Sequence, residues 1–297
     1  MSTLIGDVAG AGVEERAPSR AGIRHLLRRN VFLPLGAFVV AVFLACALAP
    51  GLIVHGSPTA IDVANQFVPP SAGHLLGTDE VGRDVLTRIV YGTRYSIGIA
   101  IAVVVVGALF GSIYGSIAGL VGGLVDEVAM RVVDVFFSLP AFILAMAIAA
   151  VMGRGLVSLL VALTIVWWPA YARFTRGMVL SIKERTHITS ARALGAGWLY
   201  ILRRHIWPFM LAELNVRVTQ DIGYALVAVA SLSFIGLGVQ PPTPEWGLML
   251  ADARSHITGS WWNPVFPGLA ILVATVGFTM LGDGLSDLMG LEGEVDR

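Results

Sequence analysis

Long apolar runs alternate with clusters of charge along this chain. Six of the runs can cross a hydrocarbon core of roughly 30 Å, which takes about 20 helical residues. They lie at 31–53, from about 95 to 121, between Asp134 and Arg154, between Arg154 and Arg173, in a stretch that ends in the apolar residues 222–239, and from about 263 to 281. The runs are continuously apolar and lack the period-two alternation of a membrane barrel, so they predict helices. Gly107, Gly111, Gly115 and Gly119 recur every four residues in the second run. That spacing puts small residues on one helix face and permits close packing. The pattern predicts an all-α membrane protein with six transmembrane helices. The segments are an N-terminal stretch over 1–30, a first transmembrane helix over 31–53, a loop over 54–94, a five-helix core over 95–290 and a tail over 291–297.

Composition agrees with this pattern. Hydrophobic residues make up 56% of the chain and charged residues 13%, against roughly 25% charged in soluble domains. Twenty basic and twenty acidic side chains cancel, which excludes a basic field for nucleic acid. The single cysteine, Cys46, excludes an internal disulfide or a cysteine-rich metal site. No HExxH or GxSxG pattern occurs, and no glycine-rich cradle precedes Lys183. The chain therefore reads as neither an enzyme nor an ATPase, with no metal or cofactor of its own.

Arginine placement predicts orientation. Arg16, Arg20, Arg24, Arg28 and Arg29 precede the first run, and seven basic residues from Arg173 to Arg204 lie between the fourth and fifth. Six crossings put both clusters, and both termini, in the cytoplasm. Ala47-Leu48-Ala49 imitates a cleavage site, but the thirty or so residues before it are long for a signal. The first twenty or so residues are polar, small and acidic, which predicts disorder.

Two loops carry the candidate chemistry. The external segment 55–94 contains Gly77-Thr78-Asp79-Glu80-Val81-Gly82-Arg83-Asp84. Thr78 or Asp79 is placed to cap a helix. Val81, Val85, Leu86, Ile89 and Val90 share one face of the stretch 81–90, which predicts an amphipathic helix lying in the interface. Asp79, Arg83 and Asp84 read either as a structural clamp or partner contact, or as a solvated face. The cytoplasmic segment 173–208 reads as a helix, then Thr189-Ser190-Ala191-Arg192-Ala193-Leu194-Gly195, then a helix from about 198 to 205. Small residues followed by glycine suit a short helix that turns sharply and seats in a groove on a partner. In the fifth run Arg217 and Asp221 are four apart and can pair on one helix face. With Gln220 they either line or gate a pathway near the cytoplasmic side, or sit among head groups if that helix starts late.

At these residues the sequence resembles a known family. His187 to Gly195, followed by Arg204-His205-Ile206-Trp207-Pro208, looks like the EAA loop of ABC importer permeases. The nearest match is the C-type permease subunit of dipeptide and oligopeptide importers. Leu76 to Asp84, Ser231 to Gly247, Phe266 to Ala270 and Leu281 to Leu285 match the same subfamily in order.

The resemblance implies an ABC importer type I permease fold, with 95–290 as the permease core. It implies a heterodimer with a homologous B-type permease, two cytoplasmic ATPase subunits that bind ATP and magnesium, and an extracytoplasmic binding protein, in the bacterial inner membrane. It also implies that Thr189, Ser190, Ala191, Arg192, Ala193, Leu194 and Gly195 couple the chain to an ATPase. Thr189 stands where the family usually has Glu, and Ser190 where it has Ala; a threonine hydroxyl there could still cap the coupling helix. Relatives of this type also carry nickel complexes, haem or other small solutes. A stand-alone secondary transporter, the other alternative, predicts internal repeats and ionisable groups at the midplane, and the sequence shows no convincing repeat.

Overall fold

The computed structural model describes residues 31–289. The expected N-terminal stretch over 1–30 and tail over 291–297 lie outside the described residues. Within them the chain is helical, and its one β contact is an isolated antiparallel bridge between Thr78 and Asp84.

The first helix, α1 (Phe32–Leu48), ends before Pro50, which opens a single further turn, Pro50–Ile53. Helix α2 (Val85–Val121) runs for 37 residues, about 55 Å at 1.5 Å per residue. The amphipathic stretch expected to lie in the interface is instead the first turns of α2. Its polar residues find partners inside the protein, so Thr87, Arg88 and Thr93 are buried. Nor do Thr78 or Asp79 cap it. The N-cap is Asp84, whose Oδ2 accepts from Thr87 N at 2.8 Å.

The expected third span is broken. Helix α3 (Gly123–Phe137) and helix α4 (Ala141–Met152) meet at 83° across Ser138-Leu139-Pro140. Pro140 has no N–H to donate, and it disfavours helical geometry at Leu139. Helix α5 (Leu156–Lys183) then runs ten residues past the expected end of the fourth span. A short helix, α6 (Thr186–Ala193), and a turn over Trp198–Ile201 lead through a π-helical segment, Leu202–Ile206, into α7 (Trp207–Phe234). Helix α7 starts well before residue 222. Its polar stretch stays helical because Arg217 and Asp221 pair at i,i+4. Helices α8 (Trp246–Ala253) and α9 (Trp262–Met289) complete the fold.

Among the described residues, α2, α5 and α9 are each long and apolar enough to cross a bilayer, and the bent α3–α4 pair makes up to four. Six crossings would require the 17-residue α1 and α7, which carries Glu213, Arg217, Gln220 and Asp221.

The most extensive helix contact is α2 against α5, followed by α9 against α1 and against α7. The glycine stripe explains the first. A Cβ at Gly111 would meet Tyr171 Cβ at 2.7 Å, Ala172 N at 3.0 Å and the Trp168 carbonyl. Gly36 performs the same task between α1 and α9, where an added Cβ would lie 2.5 Å from Leu281 N. Lys183, in the last turn of α5, donates to Gly119 O at 3.0 Å. The C-terminal ends of α2 and α5 therefore lie together, at the opposite end of the bundle from the 55–84 loop. Gly111→Leu should separate α2 from α5. The expected loss is about 1–3 kcal/mol or more, as overpacking generally costs; a lower thermal midpoint of the detergent-solubilised protein checks it.

Candidate functional site

Three polar groupings interrupt the apolar bundle. The first secures the 55–84 loop. Gly82 adopts φ +79°, and a Cβ there would strike the Asp62 carbonyl, so the turn admits glycine alone. The turn folds Asp79 back on Arg83. Asp79 Oδ1 accepts from Val81 N and Arg83 N at 3.0 and 2.9 Å. Its Oδ2 accepts from Arg83 Nε at 2.6 Å and Arg88 Nη1 at 2.5 Å. Four donors fill one carboxylate, as a buried charge requires. Asp79 and Arg83 are each only 6% exposed, which overturns the reading of these two as a solvated face. Asp84 faces away from them and joins His74 and Thr87.

Asp252 on α8 approaches both guanidinium groups at 3.9 Å, and burial beside Glu80 raises its carboxyl above the usual range. The motif before α8 docks on α2 in turn. Glu245 caps α8 by accepting from Gly247 N and Leu248 N, and Trp246 donates from Nε1 to Ile89 O at 3.0 Å. Burial pushes the Glu245 carboxyl up, against the pull of those two N–H groups.

The second grouping is the 184–206 loop at the other end. Ile188 is fully buried among Val179, Ile182, Ile201, Ile206 and Met210, which seats α6 on the bundle. The helix ends in a Schellman motif. Gly195 N donates to Arg192 O at 3.0 Å and Ala196 N to Ala191 O at 3.1 Å, with Gly195 at φ +86°. Thr189 does not cap α6. It stands mid-helix and its hydroxyl bonds back to Arg185 O and Thr186 O, because the helix begins three residues earlier, at Thr186. Thr189, Ser190, Arg192, Ala193 and Leu194 line the outer side of this element, and Leu194 is 89% exposed. This is an apolar tip on a rigid stalk.

The third grouping is a cleft of about 510 Å³ between α5, α7 and the α3–α4 bend. Phe137, Trp167 and Tyr224 supply aromatic walls, and Arg217, Gln220 and Asp221 the polar one. Arg217 Nε donates to Asp221 Oδ2 at 3.1 Å, and Gln220 Nε2 donates to Asp283 Oδ1 at 2.8 Å. Asp221 lies 14 residues into α7, roughly 21 Å along its axis.

Sequence reasoning missed Arg88, Asp252, Ser96 and Tyr171, because their roles arise from contacts between distant elements. Glu245 was open to detection, as an acceptor directly before an apolar run opening on Trp246-Gly247.

Comparison with known proteins identifies the family of the chain. The family model for the binding-protein-dependent transport system inner membrane component matches residues 111–290. The "Probable D,D-dipeptide transport system permease protein" of Escherichia coli (strain K12) is 40% identical over 251 residues, covering 84% of each chain. A glutathione transport system permease protein of Pectobacterium atrosepticum is 40% identical over 274 residues, covering 92% of this chain and 91% of its own. A chain of the MetNI methionine ABC transporter, solved in inward-facing conformations, superposes with a TM-score of 0.52 at 19% identity. That match covers 65% of this chain and 94% of the solved one, and it shows the fold.

Two measurements test the anchoring. Asp79→Ala leaves two buried guanidinium groups without their carboxylate and should cost about 3–5 kcal/mol, whereas Asp84→Ala removes only a cap and should cost about 0.5–2 kcal/mol. Thermal unfolding should rank them in that order. Ile188→Ala should cost about 2–5 kcal/mol locally, and hydrogen exchange should show the α6 amides losing protection while those of α2 keep theirs.

Proposed function

The chain belongs to the family of binding-protein-dependent transport system inner membrane components, with the type I permease fold of ABC importers, and we propose that it imports di- and oligopeptides as half of a translocation pathway. It is a permease component, and ATP hydrolysis belongs to a separate subunit. The names of the relatives, for D,D-dipeptide and glutathione transport, support a peptide substrate.

The observation that carries the coupling reading is the construction of α6. A device that transmits force from a partner needs a rigid stalk and an exposed tip. Ile188 provides the first, and the Schellman turn presenting Leu194 provides the second. In this reading Thr189, Ser190, Ala191, Arg192, Ala193, Leu194 and Gly195 seat in a groove of a cytoplasmic ATPase. The π-helical segment 202–206 then joins that contact directly to α7, which bears Arg217, Gln220 and Asp221. These three line the pathway. The Asp79–Arg83 clamp, with Asp84 capping α2, holds the extracytoplasmic end where a binding protein delivers peptide. A homologous permease forms the other half, two ATPases dock beneath, and the chain crosses the inner membrane six times with both termini inside.

Co-purification with the two ATPases and the partner permease, followed by peptide- and binding-protein-stimulated ATP hydrolysis, tests this assignment. Leu194→Asp places a charge at the tip and should abolish stimulated hydrolysis while chain abundance in the membrane is retained. Full stimulation in that variant would refute the coupling role. Neutralising the cleft with Arg217→Gln and Asp221→Asn together should lower peptide uptake; unchanged uptake would remove those residues from the pathway.

A further inference from the structure

Two buried carboxylates in this chain are treated differently. Asp79 accepts four hydrogen bonds. Asp221 is equally buried, yet among the described residues a single hydrogen bond of good geometry, from Arg217 Nε, engages it. An ionised carboxylate offers about four acceptor positions, and leaving them empty in a dry setting is costly. The Tyr171 hydroxyl is also buried beside Asp221, too poorly placed to complete a well-formed bond with it. Arg217 is half-exposed, and among the described residues no hydrogen bond engages its two Nη groups. Gln220 spends an amide N–H on Asp283, and among the described residues no hydrogen bond engages its oxygen.

Of these, Arg217, Gln220 and Asp221 line one cleft, with opposite charges four residues apart on one helix wall. The wall is neutral overall. A lone cation or anion entering would upset that balance, whereas a ligand carrying both charges preserves it. We infer that the cleft is a binding subsite for a small zwitterion. Its ammonium meets the open Asp221 oxygen, and its carboxylate meets the Arg217 fork. A guanidinium favours a carboxylate for its matching two-donor geometry. Trp167 and Tyr224 offer aromatic faces to the ammonium and to apolar side chains. The cleft volume of about 510 Å³ falls within the roughly 300–1,000 Å³ of small-molecule sites. The subsite rests on the peptide-permease reading for its substrate class, and it adds that the permease itself reads the two termini of the peptide.

The test uses the complete importer, purified in lipid nanodiscs without its binding protein. Dialanine is titrated calorimetrically beside the same peptide capped by N-acetylation, by C-amidation, or by both. The wild-type complex should bind dialanine about tenfold tighter than either singly capped form, the usual scale of one charge-assisted hydrogen bond. Asp221→Asn should erase the penalty for the acetyl cap and keep that for the amide. Arg217→Gln should do the reverse. Equal affinity of the wild type for all four peptides, or no binding of dialanine, overturns the subsite without recourse to any variant. Loss of both preferences together in each variant also overturns it, because a purely structural ion pair behaves that way. ATP-driven peptide uptake by the wild-type importer in vesicles tests the permease reading separately, so failure of one is distinguishable from failure of the other.

Discussion

Backbone touches backbone where α2 crosses α5, and the rest of the bundle is arranged around that contact. Gly111 and Gly115 remove the side chains that would hold the helices apart, and Trp168, Tyr171 and Ala172 fill the space they vacate. In a bilayer such packing substitutes for the hydrophobic drive, because lipid is as apolar as leucine. The contact fixes both ends of the molecule at once. The N-terminal turns of α2 bring Arg88 and Ser96 to the 55–84 loop and to α8, while the C-terminal turns of α5 lead into the seat of α6. It also sets one wall of the cleft, since Trp167 and Ala170 lie on α5 beside the glycine-facing residues.

Polar groups buried in this frame fall into two kinds. At the 55–84 end the carboxylates are filled: Asp79 and Glu245 spend their acceptor positions on donors within the chain. Carboxylates satisfied in this way rigidify what they join. Deeper in the bundle the Arg217–Asp221 pair holds capacity in reserve. The contrast separates a filled carboxylate from one with acceptor positions left over.

Much of this was legible in the sequence. Continuous apolar runs announced helices, and the four-residue glycine spacing announced a close helix contact, though not its partner. The ordered motifs announced the family. Element boundaries were less legible, for identifiable reasons. The polar stretch before residue 222 imitates a loop, yet an i,i+4 ion pair carries helix through it. Pro140 sits inside an apolar run whose hydropathy conceals an 83° turn. The amphipathic face after Asp84 imitates an interfacial helix, because burial of Arg88 depends on a carboxylate nine residues earlier in the chain. Thr189 had the composition of a cap but not the position of one, since the helix that holds it begins at Thr186. Each miss is a case of tertiary pairing or chain geometry overriding a local pattern.

Lys183 is the single lysine in 297 residues, and its ammonium sits on the carbonyl of Gly119 at the end of α2. A cation belongs at a helix C-terminus on electrostatic grounds. The arrangement has a chemical consequence as well. Apart from the chain's own α-amino group, this side chain is the whole inventory of primary amines. An acylating dye or an amine-directed spin label on that side chain therefore lands at one known joint, where α2 and α5 end together and the 184–206 loop begins. The protein comes with its own attachment point for watching that joint at work.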